Sequence, residues 1–122
     1  MALPEENEPL LLLHNPRCSK SRAARALLEE RGVAFVERRY LEDLLSAAEL
    51  AELQWRLARP PREWVRRGEA AYREAGLDEA ASDQAVLDAM AAHPSLIERP
   101  IAVRGRRAVV GRPPEAVLEL ID

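Results

Sequence analysis

The sequence predicts an α/β fold: a mixed sheet made from a β-α-β unit and a later β-β-α unit, with a block of short helices inserted between them. Three observations lead there. The apolar run Leu10–Leu13 passes through a polar turn into a helical pattern. A second short apolar run, residues 33–36, follows that helix after Gly32, and a strand–helix–strand unit of this size implies parallel pairing with a right-handed crossover. Late in the chain, two β-branched runs flank Gly105 and lead into a last helical stretch.

Taken in order, residues 1–8 are polar and read as a loose tail. Residues 9–13 form the first strand, apolar enough to be buried on both faces. Residues 19–31 give a helix with Ala23, Ala26 and Leu27 at core-facing spacing and Gly32 as its C-terminal cap. Residues 33–36 are the second strand. Ser46-Ala47-Ala48-Glu49 matches a capping box, and Leu50, Leu53 and Leu57 follow as one apolar stripe.

Pro60-Pro61 stops that helix, and Pro61 is placed to open a short helix over 62–67, ended by Gly68. Residues 70–75 make another short helix before Gly76, and Ser82 caps a helix carrying Val86, Ala89 and Met90 that ends before Pro94. The inserted helical block thus spans about 43–97, with Trp55 and Trp64 as packing residues on it. Residues 101–103 and 108–110 form an antiparallel hairpin turning at Gly105. Pro113-Pro114 then starts a final helix with Val117, Leu118 and Ile121 inward. No repeat, low-complexity tract or flexible linker interrupts this order, so residues 1–122 read as one domain.

Composition narrows the function. A hydrophobic fraction of 48% with 32% charged residues describes an ordinary globular chain and excludes a disordered one. A formal charge of −3 argues against a general nucleic-acid binder. No apolar run reaches membrane-spanning length, and the acidic start does not read as a signal peptide. A single cysteine allows no internal disulfide, so the expected home is a reducing cytoplasm and any disulfide chemistry needs a second thiol from outside. Two isolated histidines and one cysteine show no metal-site spacing, so no metal is expected.

That cysteine, Cys18, lies in the turn His14-Asn15-Pro16-Arg17-Cys18-Ser19-Lys20-Ser21-Arg22, where the first strand ends and the first helix begins. A free cysteine is most often a small buried hydrophobe. Here the neighbours are polar or charged, and a thiol at a helix start meets unpaired backbone N–H groups and the positive end of the helix dipole, which favour thiolate. Arg17, Lys20 and Arg22 add positive charge, which suggests an anion site beside a reactive thiol. His14 suits a base, a neighbour to the sulfur or a packing residue; Ser21 suits a helix cap or a donor to the sulfur. A reactive cysteine after the first strand of this element order is the thioredoxin–glutaredoxin plan with helices inserted in the middle.

At the level of motifs the chain resembles the glutaredoxin-type arsenate reductases and their shorter relatives. The matching pieces are His14-Asn15-Pro16-x-Cys18-x-x-Ser21-Arg22, Tyr40-Leu41-Glu42, Arg62 and Arg66 before Tyr72 and Gly76-Leu77, His93-Pro94-x-Leu96-Ile97-x-Arg99-Pro100-Ile101, and Gly111-Arg112-Pro113-x-Glu115. The resemblance implies that Cys18 attacks arsenate while three arginines hold the oxyanion and lower the thiol pKa. Carried over by motif these are Arg66, Arg99 and Arg112, with Arg62 and Arg67 a small shift away from the first. His14, Asn15, Ser21, Arg22 and Pro100, the last as a cis proline, would support the active-site turn. The resemblance also implies glutathione as external thiol and a glutaredoxin to reduce the resulting mixed disulfide; no bound cofactor is expected, and the chain is expected to be a monomer. Two other functions remain open on the sequence. One is a transcriptional regulator of the Spx type that binds RNA polymerase, although such regulators often carry C-x-x-C where this chain has C-x-x-S. The other is a glutathione-dependent thiol reductase with a different substrate.

Overall fold

Four consecutive leucines make strand β1 (Leu10–Leu13), and all four are buried. Such a strand is stable only when covered on both faces, and the rest of the chain supplies the covers. The structure, a computed structural model, describes residues 3–121. Helix α1 (Ser19–Glu30) crosses over from β1 to β2 (Phe35–Arg38), which pairs parallel to it with Leu13 opposite Arg38. On the other side β1 pairs antiparallel with β3 (Ile101–Arg104), and β3 with β4 (Arg107–Val110), giving the order β2-β1-β3-β4. Gly105 turns the hairpin at φ +57, a conformation glycine takes without strain.

The two-residue period of β1 separates two cores. Leu10 and Leu12 pack with Ala24 and Leu28 of α1, Ala102, and Val117 and Leu120 of the C-terminal segment. Leu11 and Leu13 face the helical block: α2 (Ala47–Leu57), α3 (Ala70–Glu74) and α4 (Asp83–Ala92). The capping box of Ser46 and Glu49 forms as expected, and Leu50, Leu53 and Leu57 are its buried stripe. Ser46 is further fixed to the sheet, because Glu49 also pairs with the buried Arg38 at the end of β2, at 2.6 Å. The expected α/β plan, with the helical block between its two units, is the observed one.

Several local expectations are corrected. The second strand begins at Phe35 instead of Val33, because Gly32 and Val33 close α1 by donating to Glu29 O and Leu28 O at 3.0 Å each, a Schellman motif that uses up the chain before the strand. The buried face of α1 is Ser21, Ala24 and Leu28; Ala23 and Ala26 are exposed, because the Ser21 hydroxyl is drawn inward to His14. The short helix expected over 62–67 is only a 3₁₀ turn, Pro61–Glu63. Beyond it Val65 bridges Ile97, with Arg66 N–H donating to Leu96 O (2.7 Å) and Glu98 N–H to Trp64 O (3.0 Å). The final helix is a 3₁₀ helix, Pro114–Leu120, buried through Val117 and Leu120 with Leu118 and Ile121 only partly covered. The expected tail is not loose where it is described: Leu3 is buried, and Arg56 donates to Pro4 O and Gly105 O; its residues 1–2 lie outside the described residues. Trp64 is fully buried, but Trp55 lies off the inward stripe of α2 and is 81% exposed. No helix among the described residues is long and apolar enough to cross a membrane.

Candidate active site

Because β1 and β2 run parallel while β3 opposes β1 and β4 opposes β3, one row crosses the sheet at a single end: Arg38, Leu13, Ile101, Val110. The chain segments next to that row are His14–Cys18 after β1, Tyr40 after β2, Arg99-Pro100 before β3 and Gly111-Arg112 after β4. Sheet topology alone therefore gathers four distant stretches of sequence.

The turn after β1 is held by its own side chains. His14 N–H donates to Arg38 O at 2.8 Å, and its ring Nδ1 pairs with Ser21 Oγ at 2.7 Å. The same hydroxyl accepts the Asn15 N–H at 3.0 Å, and Asn15 Oδ1 accepts the Arg17 N–H at 3.0 Å. Arg22 Nη1 donates to Pro16 O at 2.9 Å. His14, Asn15, Ser21 and Arg22 are thus all engaged in shaping the turn. The Ser21 hydroxyl is directed to His14 and Asn15, which leaves it a positioning group in this arrangement. His14 is buried, and burial holds its pKa below the usual 6.5, with the Glu37 charge opposing and Arg25, Arg39 and Arg22 assisting.

Cys18 is the N-cap of α1, in extended conformation (φ −95, ψ 124), with its own N–H on Asn15 O at 3.0 Å. Only 9% of it is exposed. Its sulfur makes no close capping hydrogen bond. It nevertheless sits in the field of the open first turn. Burial pushes the thiol pKa up, and this is outweighed by the Ser21 N–H, the Arg99 side chain, the Lys20 N–H and the Arg99 charge, so the thiol is more acidic than an ordinary cysteine. The guanidinium acting on the sulfur is that of Arg99; Arg17 and Lys20 carry exposed side chains and Arg22 is turned to Pro16.

The Arg99–Pro100 peptide is cis, as the family resemblance implied, and so is Arg112–Pro113. Arg99 Nε is buried without a hydrogen-bond partner among the described residues. A buried, unpaired donor on a charged group is costly, so it marks a place for an acceptor. Arg112 Nε donates to Arg99 O at 3.0 Å, which joins the two residues directly. Arg66 lines an open cleft together with Arg67, Glu69, Glu98 and Arg112; of these Arg66 lies beside Glu98, while Arg67 pairs with Glu79 and Arg62, outside the cleft, with Asp83. The geometry therefore brings Cys18, Arg99, Arg112 and Arg66 into one cluster.

Three residues of the cluster were not singled out from the sequence. Glu98 lies between Arg66 and Arg112, and Glu69 pairs with Arg66 from the other side. Tyr40 is buried, and burial pushes its hydroxyl up to about 12, with Arg99 and Arg66 pulling it down and Cys18 and Glu98 pushing it further up. Its place in the Tyr40-Leu41-Glu42 motif was the available signal; Glu98 occupied an unspecified position just before Arg99. No group of three or more His, Cys, Asp or Glu side chains among the described residues is arranged to hold a metal ion.

The chain is similar to known proteins in sequence and in fold. Residues 13–120 match the family model described as the ArsC family. The chain is 45% identical over 112 residues to the uncharacterized protein YfgD of Escherichia coli, covering 90% of this chain and 94% of that one. It is 40% identical over 114 residues to an arsenate reductase of Haemophilus influenzae, covering 92% and 98%. Among solved structures it superposes on an arsenate reductase from Vibrio cholerae with a TM-score of 0.87, at 46% identity, over 92% of this chain and 97% of that one.

Proposed function

The chain belongs to the ArsC family, and from that premise we propose that it reduces arsenate to arsenite with Cys18 as nucleophile. The observation that carries the proposal is a thiol made acidic at an open helix start, with Arg99 acting on its sulfur and Arg112 joined to Arg99. The arsenate reductases of H. influenzae and V. cholerae, which it resembles along nearly their whole length, point to the same substrate.

Arsenate is a tetrahedral oxyanion, and bringing it to a thiolate sets negative charge against negative charge. Arg99, Arg112 and Arg66 offset that. Guanidinium groups stay charged, and their planar forks donate paired hydrogen bonds to oxyanions. The unpaired Arg99 Nε is a donor ready for one oxygen, and the amides at the start of α1 add further attraction. The Cys18 sulfur attacks arsenic, a sulfur–arsenic bond forms, and one arsenic oxygen leaves as water after protonation. A glutathione thiol then reacts with the adduct. A disulfide forms between Cys18 and glutathione, the two electrons released by the sulfurs reduce arsenic, and arsenite departs. The chain holds one cysteine, so a glutaredoxin attacks the mixed disulfide and restores the thiolate. This chemistry needs a reducing compartment, which we take to be the cytoplasm, and it asks for no second subunit and no bound cofactor.

The test is steady-state arsenate reduction with glutathione and glutaredoxin, compared between wild type and Cys18→Ser. The variant is expected to fold, since exchanging sulfur for the smaller oxygen at this nearly buried position removes little volume, and to lose turnover. Trapping without glutaredoxin should yield a glutathione adduct on wild type alone. Undiminished turnover by Cys18→Ser would refute the assignment.

A further inference from the structure

Glu98 stands one residue before Arg99, and its carboxylate lies where the arginines converge. Oε1 is 3.0 Å from Arg112 Nε and 4.0 Å from Arg66 Nε, and it accepts the Arg99 N–H at 3.2 Å. The placement is built into the backbone. The Val65–Ile97 bridge, with Glu98 N–H on Trp64 O and Arg66 N–H on Leu96 O, fixes Glu98 and Arg66 side by side. Arg66 also pairs with Glu69 on its far side. Three guanidiniums thus face two carboxylates and the Cys18 sulfur, and the two carboxylates already offset two of the three positive charges.

To a guanidinium, a carboxylate and an oxyanion offer the same thing: paired oxygens carrying negative charge. They cannot share one position, because two like charges at contact distance repel. We infer, on the oxyanion site proposed above, that Glu98 is a resident competitor for that site. It occupies Arg112 and Arg66 until the oxyanion displaces it, and so sets how tightly oxyanions bind. One quarter of the Glu98 side chain is exposed, so it has a route into solvent when it is displaced. The effect falls equally on arsenate and on phosphate, which matches it in shape and charge. A weakened site keeps phosphate from saturating it, while the thiolate chemistry, open only to arsenate, supplies the discrimination.

The experiment reads protection of Cys18 from iodoacetamide as inorganic phosphate is titrated, with each variant normalised to its own rate without phosphate. In Glu98→Gln, which keeps an acceptor for the Arg99 N–H but loses the charge, the half-protecting phosphate concentration should fall by roughly one to two decades, the worth of one charge-assisted contact. Inhibition of arsenate turnover by phosphate should strengthen by a similar factor. Glu98→Ala should shift in the same direction, which separates competition from a role in holding Arg112. Arg112→Ala should lose protection with or without the Glu98 substitution. An unchanged or higher half-protecting concentration in both Glu98 variants, with protection still lost in Arg112→Ala, would overturn the competitor and leave the oxyanion site standing. Protection that survives in Arg112→Ala and in Arg99→Ala, or its absence from every variant and wild type, would overturn both.

Discussion

Gly111 donates its amide to Pro100 O at 2.8 Å, and the proline ring fills the space beside its α-carbon: a Cβ there would lie 2.7 Å from Pro100 Cγ and 3.1 Å from Val117 Cγ1. Arg99 precedes this proline and Arg112 follows this glycine. The two arginines therefore hang on one close backbone contact between the ends of β3 and β4, reinforced by Arg112 Nε on Arg99 O.

Gly111→Ala should open that contact. The added methyl meets a rigid ring and a packed valine, and overpacking of this kind costs about 1–3 kcal/mol. Thermal melting should report the loss of stability. Arsenate turnover measured well below the melting temperature should fall as well, because the spacing of Arg99 and Arg112 changes with the backbone. A fully active, destabilised variant would show that the spacing is not critical.

Arg99→Ala and Arg112→Ala should weaken arsenate use far more than they weaken the fold. Each loses a charge-assisted contact of about 1.5–3 kcal/mol, or roughly one to two decades in kcat/KM. Lysine should rescue only in part, since a point charge does not reproduce the planar fork. Steady-state kinetics with melting temperature as control decides this; wild-type kinetics in both well-folded alanine variants would mean the site lies elsewhere.

The Cys18 thiol should ionise below the ordinary cysteine value of about 8.5. Because the thiolate is the reactive form, alkylation rate plotted against pH should reach its midpoint below that value. In Arg99→Ala the midpoint should move up, since the group removed is one that favours the charged sulfur. Identical profiles in the two proteins would separate Arg99 from the sulfur.

His14 should make the fold acid-sensitive. Its folded pKa is depressed below 6.5, chiefly by burial, so the unfolded chain takes up a proton in a window where the folded protein does not. Stability is fully present above 6.5 and is lost as pH falls through the folded value. Melting temperature compared at about pH 8 and about pH 5 should drop more in wild type than in His14→Gln, which cannot titrate. An equal drop in both would place the acid sensitivity on other groups.

Much of this fold was legible because its signals are local. Four leucines, the box from Ser46 to Glu49 and the hairpin around Gly105 are each specified by neighbouring residues. Apart from the start of the second strand, displaced by the local closure of α1 at Gly32 and Val33, what was misplaced depends on tertiary pairing. The rotation of α1 follows from Ser21 reaching His14, and the extended path of Val65 follows from Ile97 across the chain. The candidate site divides in the same way. Cys18 and its turn were visible in one short stretch, whereas Glu98 acquires its meaning only when the sheet end brings it to Arg66 and Arg112. A glutamate read alone is a surface charge, and its sequence position says nothing of what faces it.

The two tryptophans lie in opposite environments, Trp64 wholly enclosed and Trp55 81% exposed. Acrylamide reaches only the second, so the emission of this protein separates into a quenchable and a protected component. The protected indole belongs to the residue whose carbonyl holds the Glu98 amide, two positions from Arg66. In a Trp55→Phe background the chain carries a single tryptophan, tied through its carbonyl to Glu98, and its emission, excited apart from the two tyrosines, should report whether added phosphate disturbs that backbone.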